Sequence, residues 1–112
     1  MHEMSVAESL MELIEEEGRN RGFSRVRKVH VKIGTLGHVE PEALRFCFDA
    51  VSRGSIADGA DLELATVPAA GWCGTCRRTA ALSERYALCP DCGRHMQMIA
   101  GDELRLAELE VD

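Results

Sequence analysis

The sequence predicts an α+β fold, with two helices packed on a small three-stranded sheet and an inserted four-cysteine zinc-ribbon module. Three observations carry that expectation. Apolar residues recur at helical spacing in two stretches, about 6–20 and 41–53. Apolar and polar residues alternate in three others, about 25–34, 61–67 and 103–111. Two Cys-x-x-Cys pairs lie between the second and third alternating stretches.

The first helix is expected from about Val6 to Asn20. Ser5-Val6-Ala7-Glu8 has the form of a capping box, and Val6, Leu10, Leu13 and Ile14 follow at helical spacing. Glu15, Glu16 and Glu17 fall late in it and read as a solvated face. Beyond Gly22, Val29, Val31 and Ile33 alternate with His30 and Lys32, which marks a half-buried strand with His30 as a surface histidine. After the loop Gly34-Thr35-Leu36-Gly37-His38, Pro41 suits the first turn of a second helix. Leu44, Cys47, Phe48 and Val51 form its apolar stripe, with Cys47 as core filler, and Gly54 stops it. Asp61–Val67 reads as the second strand, with Leu62 and Leu64 facing inward, and Pro68-Ala69-Ala70-Gly71 as a hinge. In the closing strand, Leu104 and Leu106 give way to Leu109 and Val111, a slip of one residue that suggests a β-bulge near Ala107-Glu108. The expected organisation is a discontinuous α/β domain, 1–68 and 99–112, around a metal-binding domain, 69–98.

Composition narrows the function classes. The formal net charge is −6, whereas nucleic-acid binding needs Lys and Arg to neutralise phosphates. No apolar run approaches the roughly 18 residues of a membrane span. Met1-His2-Glu3-Met4 is not the start of a secretory signal, so the chain reads as cytoplasmic, where thiols stay reduced. Five cysteines in that setting, four of them in two pairs, point to metal rather than to disulfides.

Cys73-Gly74-Thr75-Cys76 and Cys89-Pro90-Asp91-Cys92-Gly93 each place two thiolates in a tight turn that one ion can bridge. Residues 77–88 are enough for a short hairpin between them. Four thiolates complete the tetrahedral shell of zinc and leave no open position, which makes the site structural. Iron in a rubredoxin-like site is the competing metal; with 4% aromatic residues the chain lacks the aromatic surround expected there.

The first residues form a second donor set. The Met1 amine and the His2 amide nitrogen close a five-membered ring on a metal ion, and the His2 imidazole closes a six-membered one. Glu3 adds its amide or its carboxylate. Planar nitrogen donors suit Ni(II) or Cu(II). Binding requires a deprotonated amine and a neutral imidazole, so it weakens as pH falls, which fits delivery better than storage.

Met1-His2-Glu3-Met4-Ser5 resembles the N-terminus of the HypA/HybF hydrogenase nickel-incorporation proteins. So do Lys32-Ile33-Gly34, Val39-Glu40-Pro41-Glu42-Ala43-Leu44, Phe46-Cys47-Phe48, both cysteine pairs, Glu103-Leu104-Arg105-Leu106 and Glu108-Leu109-Glu110-Val111. The resemblance spans essentially the whole chain in the same order. It implies a nickel metallochaperone, not an enzyme, that helps load Ni(II) into NiFe hydrogenase and in some organisms urease. Its implied partners are a HypB-type GTPase and the hydrogenase large-subunit precursor, and its implied state is a monomer or weak homodimer. Carried over by residue, nickel falls on Met1, His2 and Glu3, and zinc on Cys73, Cys76, Cys89 and Cys92. His95, three residues after Cys92, is a candidate further nickel ligand, and His38 a weaker one. The runner-up reading is a zinc-ribbon adaptor for protein or nucleic acid, using Arg77, Arg78, Arg85 and Arg94 as a basic patch. A redox-thiol enzyme built on Cys73 and Cys76 is the third.

Overall fold

The structure, a computed structural model, describes residues 3–112. Its elements in order are helix α1 (Glu3–Arg21), strand β1 (Val26–Gly34), helix α2 (Pro41–Ser52), strand β2 (Asp61–Val67), then the short strands β3 (Ala70–Cys73), β4 (Arg78–Ala81) and β5 (Gln97–Ala100), and finally β6 (Leu104–Val111). The chain divides into two compact units. One comprises the residues up to Lys32, Val39–Ala65 and Arg105–Asp112; the other comprises Ile33–His38 and Thr66–Leu104.

The α+β architecture is as expected: two helices and a sheet of order β2-β1-β6. The start of β1 meets the end of β6, where the Asp112 amide donates to the Arg25 carbonyl (3.2 Å), and the end of β1 meets the start of β6 through Gly34 N and the Glu103 carbonyl (2.7 Å). These two strands are therefore antiparallel. With β2 the ends match in the same sense: Val26 N donates to Ile56 O (2.8 Å) and Thr35 N to Val67 O (3.0 Å). That pair is parallel, and α2 is its crossover.

Helix α1 buries Val6, Ala7, Leu10, Met11, Ile14 and Gly18, an apolar stripe at spacings of three and four. Among the described residues it is already helical at Glu3, so Ser5 lies within the helix and not at its cap, and Glu8 is an exposed helical residue. Glu3 adds a carboxylate near the positive end of the helix dipole. Leu13 falls outside the buried stripe and is 46% exposed. The late glutamates are solvated or paired, with Glu17 accepting from Arg21 at 2.6 Å. Helix α2 opens as the sequence suggests. Glu40 is its N-cap, accepting the Ala43 amide at 2.7 Å, and Pro41 follows in the first turn. Leu44 and Phe48 are buried, while Cys47 is half-buried on the same helix.

β1 contributes Val26, Val29 and Val31 to the core of this unit, and β2 contributes Leu62. His30 is not a bare surface histidine. It is half-buried, and its Nε2 lies 2.7 Å from Glu110 Oε2 on β6. In β6 the burial alternation slips at Ala107-Glu108, both exposed, between half-buried Leu106 and Leu109.

In the other unit, β3 is the centre of an antiparallel sheet of order β4-β3-β5, with Trp72 opposite Thr79 on one side and Gln97 on the other. The segment read as a hinge enters this sheet at Ala70 and buries Ala69. Glycine is required twice where backbones cross. A Cβ on Gly101 (φ +113) would lie 2.4 Å from Ala69 Cα, and one on Gly34 would lie 2.2 Å from the Gly101 carbonyl carbon.

Candidate metal centre

The second unit is built around the two cysteine pairs. Cys73 is the last residue of β3, so the sheet aims its sulfur, and the chain then turns back. Arg77 N donates to Cys73 O at 2.7 Å, closing a loop around Cys76. The second pair repeats the device: Gly93 N donates to Cys89 O at 2.9 Å, closing a loop around Cys92. In both, the residue after the second cysteine adopts a left-handed backbone, Gly93 at φ 73° and Arg77 at φ 57°. Glycine takes that conformation without steric cost, and arginine does not. An antiparallel bridge between Leu88 and His95, with Cys89 N donating to Arg94 O at 2.8 Å, holds the base of the second knuckle.

The two knuckles bring all four sulfurs within 4.8 Å of one another. Cys73 Sγ lies 3.6 Å from Cys92 Sγ, and Cys89 Sγ lies 3.9 Å from Cys76 Sγ. A tetrahedron of thiolates at about 2.3 Å from zinc has edges of about 3.8 Å, which those separations bracket. All five cysteines are free of disulfides, and Cys47 stands outside the cluster. The four cysteines form a metal-binding site.

The thiols of the cluster are electrostatically unequal. The Cys76 amide points at Cys73 Sγ (3.4 Å), and this backbone hydrogen bond holds the Cys73 thiol below its ordinary pKa. The backbone of Cys92 does the same for Cys89. Cys76 is pushed up to about 12, chiefly by the hydrogen bond it shares with the Cys92 sulfur, with burial adding to it. Cys73 and Cys89 are thus the easier thiols to ionise, and Cys76 is the one that most resists a further negative charge.

Around this core, Arg78 pairs with Asp91 and ties β4 to the second knuckle, and Arg85 pairs with Asp102 at 3.4 Å. Two arginines of the expected basic patch are thus neutralised by acids of the same unit. Arg77 and Arg94 are exposed. Neither ion pair was visible in the sequence, because each joins residues 13 or more positions apart with no periodic signal.

The other sequence-predicted ligands are placed as follows. Met1 and His2 lie outside the described residues. Glu3, half-buried, opens α1, and its Oε2 accepts the Glu40 amide at 3.2 Å. His95 is exposed and stands opposite Leu88; it is not part of the grouped ligand atoms of the cysteine cluster. His38 is exposed in the loop after β1, with φ 58°.

An α+β fold with four cysteines gathered at one point defines a metal-binding protein. The comparisons with known proteins refine that class. Residues 1–111 match the family described as hydrogenase/urease nickel incorporation metallochaperones, HypA, and the chain belongs to that family. It is 58% identical over 113 residues to a hydrogenase maturation factor HypA of Methylocella silvestris and 56% identical to one of Rhodopseudomonas palustris, with 100% of both chains covered in each case. Among solved structures, that of the Ni metallochaperone HypA from Helicobacter pylori superposes with a TM-score of 0.77 at 25% identity, covering 99% of this chain and 97% of that one.

Proposed function

We propose that this protein is a nickel metallochaperone for NiFe hydrogenase maturation, acting also on urease where that enzyme is present. The observation that carries the reading is the family match itself, which runs from residue 1 to residue 111 and so includes Met1-His2-Glu3. Its relatives are named hydrogenase maturation factors. In this reading the cargo, Ni(II), is held by the Met1 amine, His2 and Glu3. So few nitrogen and oxygen donors release the ion to a recipient with more or stronger ones. The Glu3 carboxylate accepts the Glu40 amide at 3.2 Å, which holds this member of the set to the N-cap of α2. His95 is the candidate for a further ligand.

Zinc is the metal proposed for Cys73, Cys76, Cys89 and Cys92. Sulfur separations of 3.6 and 3.9 Å fit its tetrahedral shell, and four thiolates leave no site for substrate. The division of labour follows: residues 69–98 form the zinc-binding domain, and 1–68 with 99–112 form the nickel-binding one. No catalytic step is assigned. The proposed partners are a HypB-type GTPase and the hydrogenase large-subunit precursor, in the cytoplasm; no helix among the described residues is long and apolar enough to cross a membrane.

Native mass spectrometry during a nickel titration tests the proposal, using the natural sequence, His2→Ala and a form lengthened before Met1. One zinc should remain in all three, and one nickel should be lost from the last two. Full nickel uptake by the lengthened form would remove the amine from the ligand set and the nickel reading with it.

A further inference from the structure

The stretch Ile33–His38 comprises the end of β1 and the loop that follows it, and it is compact with the unit that holds the cysteines. Two backbone bonds continue the strand pairing, Thr35 N to Val67 O (3.0 Å) and Gly34 N to Glu103 O (2.7 Å), and a third ties the loop beyond it, Leu36 N to Gly101 O (2.6 Å). One side chain completes the fastening. Arg85 donates through Nη2 to the Leu36 carbonyl at 3.2 Å and through Nη1 to Asp102 Oδ2 at 3.4 Å, with Met98 Sδ at 3.9 Å from the same nitrogen. A planar guanidinium suits this role because its fixed fork reaches both acceptors at once.

Arg85 lies in residues 77–88, and this stretch is closed at its two ends by Cys76 and Cys89, whose sulfurs are 3.9 Å apart. A metal bridging those sulfurs shortens the free chain around Arg85 to a closed loop and lowers the entropy lost in placing its guanidinium. We infer that Arg85 is a positioning residue through which the metal-loaded module holds the loop Gly34–His38, so that the order of this loop follows the metal in the cysteine cluster. The inference stands on the four-cysteine site and does not need the nickel reading. Its consequence for that reading is direct in the chain: the loop runs into Val39 and Glu40, and Glu40 both caps α2 and gives its amide to Glu3.

Amide hydrogen exchange on the full, zinc-loaded protein tests it, with metal content checked by native mass spectrometry. In Arg85→Met, exchange at Thr35 and Leu36 should rise about tenfold, the scale set by losing one charge-assisted hydrogen bond, while amides in the middle of α1 keep their rates. Arg85→Lys keeps the charge without the fork and should fall between, giving a readout if the methionine form does not fold. Removing the metal from the natural sequence should free the same two amides. Unchanged exchange at Thr35 and Leu36 in the metal-loaded variants would overturn the inference. So would a rise shared equally by α1, which marks general destabilisation, or a loop that stays protected after the metal is removed.

Discussion

Removing the metal should melt one unit and spare the other. Among the described residues, the unit that holds the cysteines buries only Ile33, Ala69 and Leu82 as apolar side chains besides Cys73 and Cys89. Two full-sized aliphatic side chains contribute about 2–3 kcal/mol each. A structural zinc in a thiolate site contributes about 10–16 kcal/mol at neutral pH. The metal is therefore the larger of the two by at least a factor of about two, and the strands β3, β4 and β5, four residues each, have little else to hold them. The other unit has Leu10, Ile14, Val26, Val29, Leu44 and Phe48 fully buried and needs no such brace. The assay is unusually clean, because both helices lie in the first unit and the single tryptophan, Trp72, lies in the second. On addition of a strong chelator the helical circular dichroism should persist, while Trp72 fluorescence moves toward that of a solvated indole and amide protection in 70–100 collapses. Protected amides at Cys89 and Gly93 in the metal-free protein would refute the argument. A helical signal lost in step with the tryptophan change would refute it as well.

Other outcomes follow from the same geometry. Because the Cys76 thiol sits near 12 without metal, zinc uptake at pH 7 should release at least one proton per ion, and apparent affinity should fall as pH falls; calorimetry in buffers of different ionisation enthalpy reads this directly. Gly101→Ala places a methyl 2.5 Å from the Ala69 Cβ at φ +113 and should cost about 2–5 kcal/mol, whereas Gly74→Ala, with nothing within 4 Å, should be near neutral; thermal unfolding of the zinc-loaded proteins compares them. The Glu110 carboxyl lies below its usual pKa, mainly through its hydrogen bond with His30. Its folded value is depressed, so the pair stabilises above the ordinary carboxylate range and that gain disappears as pH falls through the lowered value. Glu110→Gln should therefore lower the melting temperature slightly near neutral pH and leave it unchanged in acid, as both side chains are partly exposed.

The parts of this protein that were legible in its sequence are those written in short-range periods. The stripe of α2, the alternation of β1 and β2 and the two cysteine knuckles each depend on residues within a few positions of one another. Ser5-Val6-Ala7-Glu8 satisfies a capping pattern, yet Ser5 is already inside α1. Long-range pairings left no local trace. Trp72 meets Gln97 only because the second knuckle folds back, His30 meets Glu110 across 80 positions, and Leu36 answers to Gly101 and Arg85 instead of to the strand it follows.

The interleaving of the two units along the chain also bears on the order in which they are completed during synthesis. A ribosome delivers Ile33–His38 long before Thr66, and Leu104 after most of the polypeptide has emerged. The helix pair can begin to pack early, but β1 waits for β6, its antiparallel neighbour, which follows both helices and both cysteine pairs in the chain. Four sulfurs cannot converge on an ion until Cys92 has been made, so the brace is fitted late. A shortage of metal would then strand nascent chains with their first helices formed and their centre open.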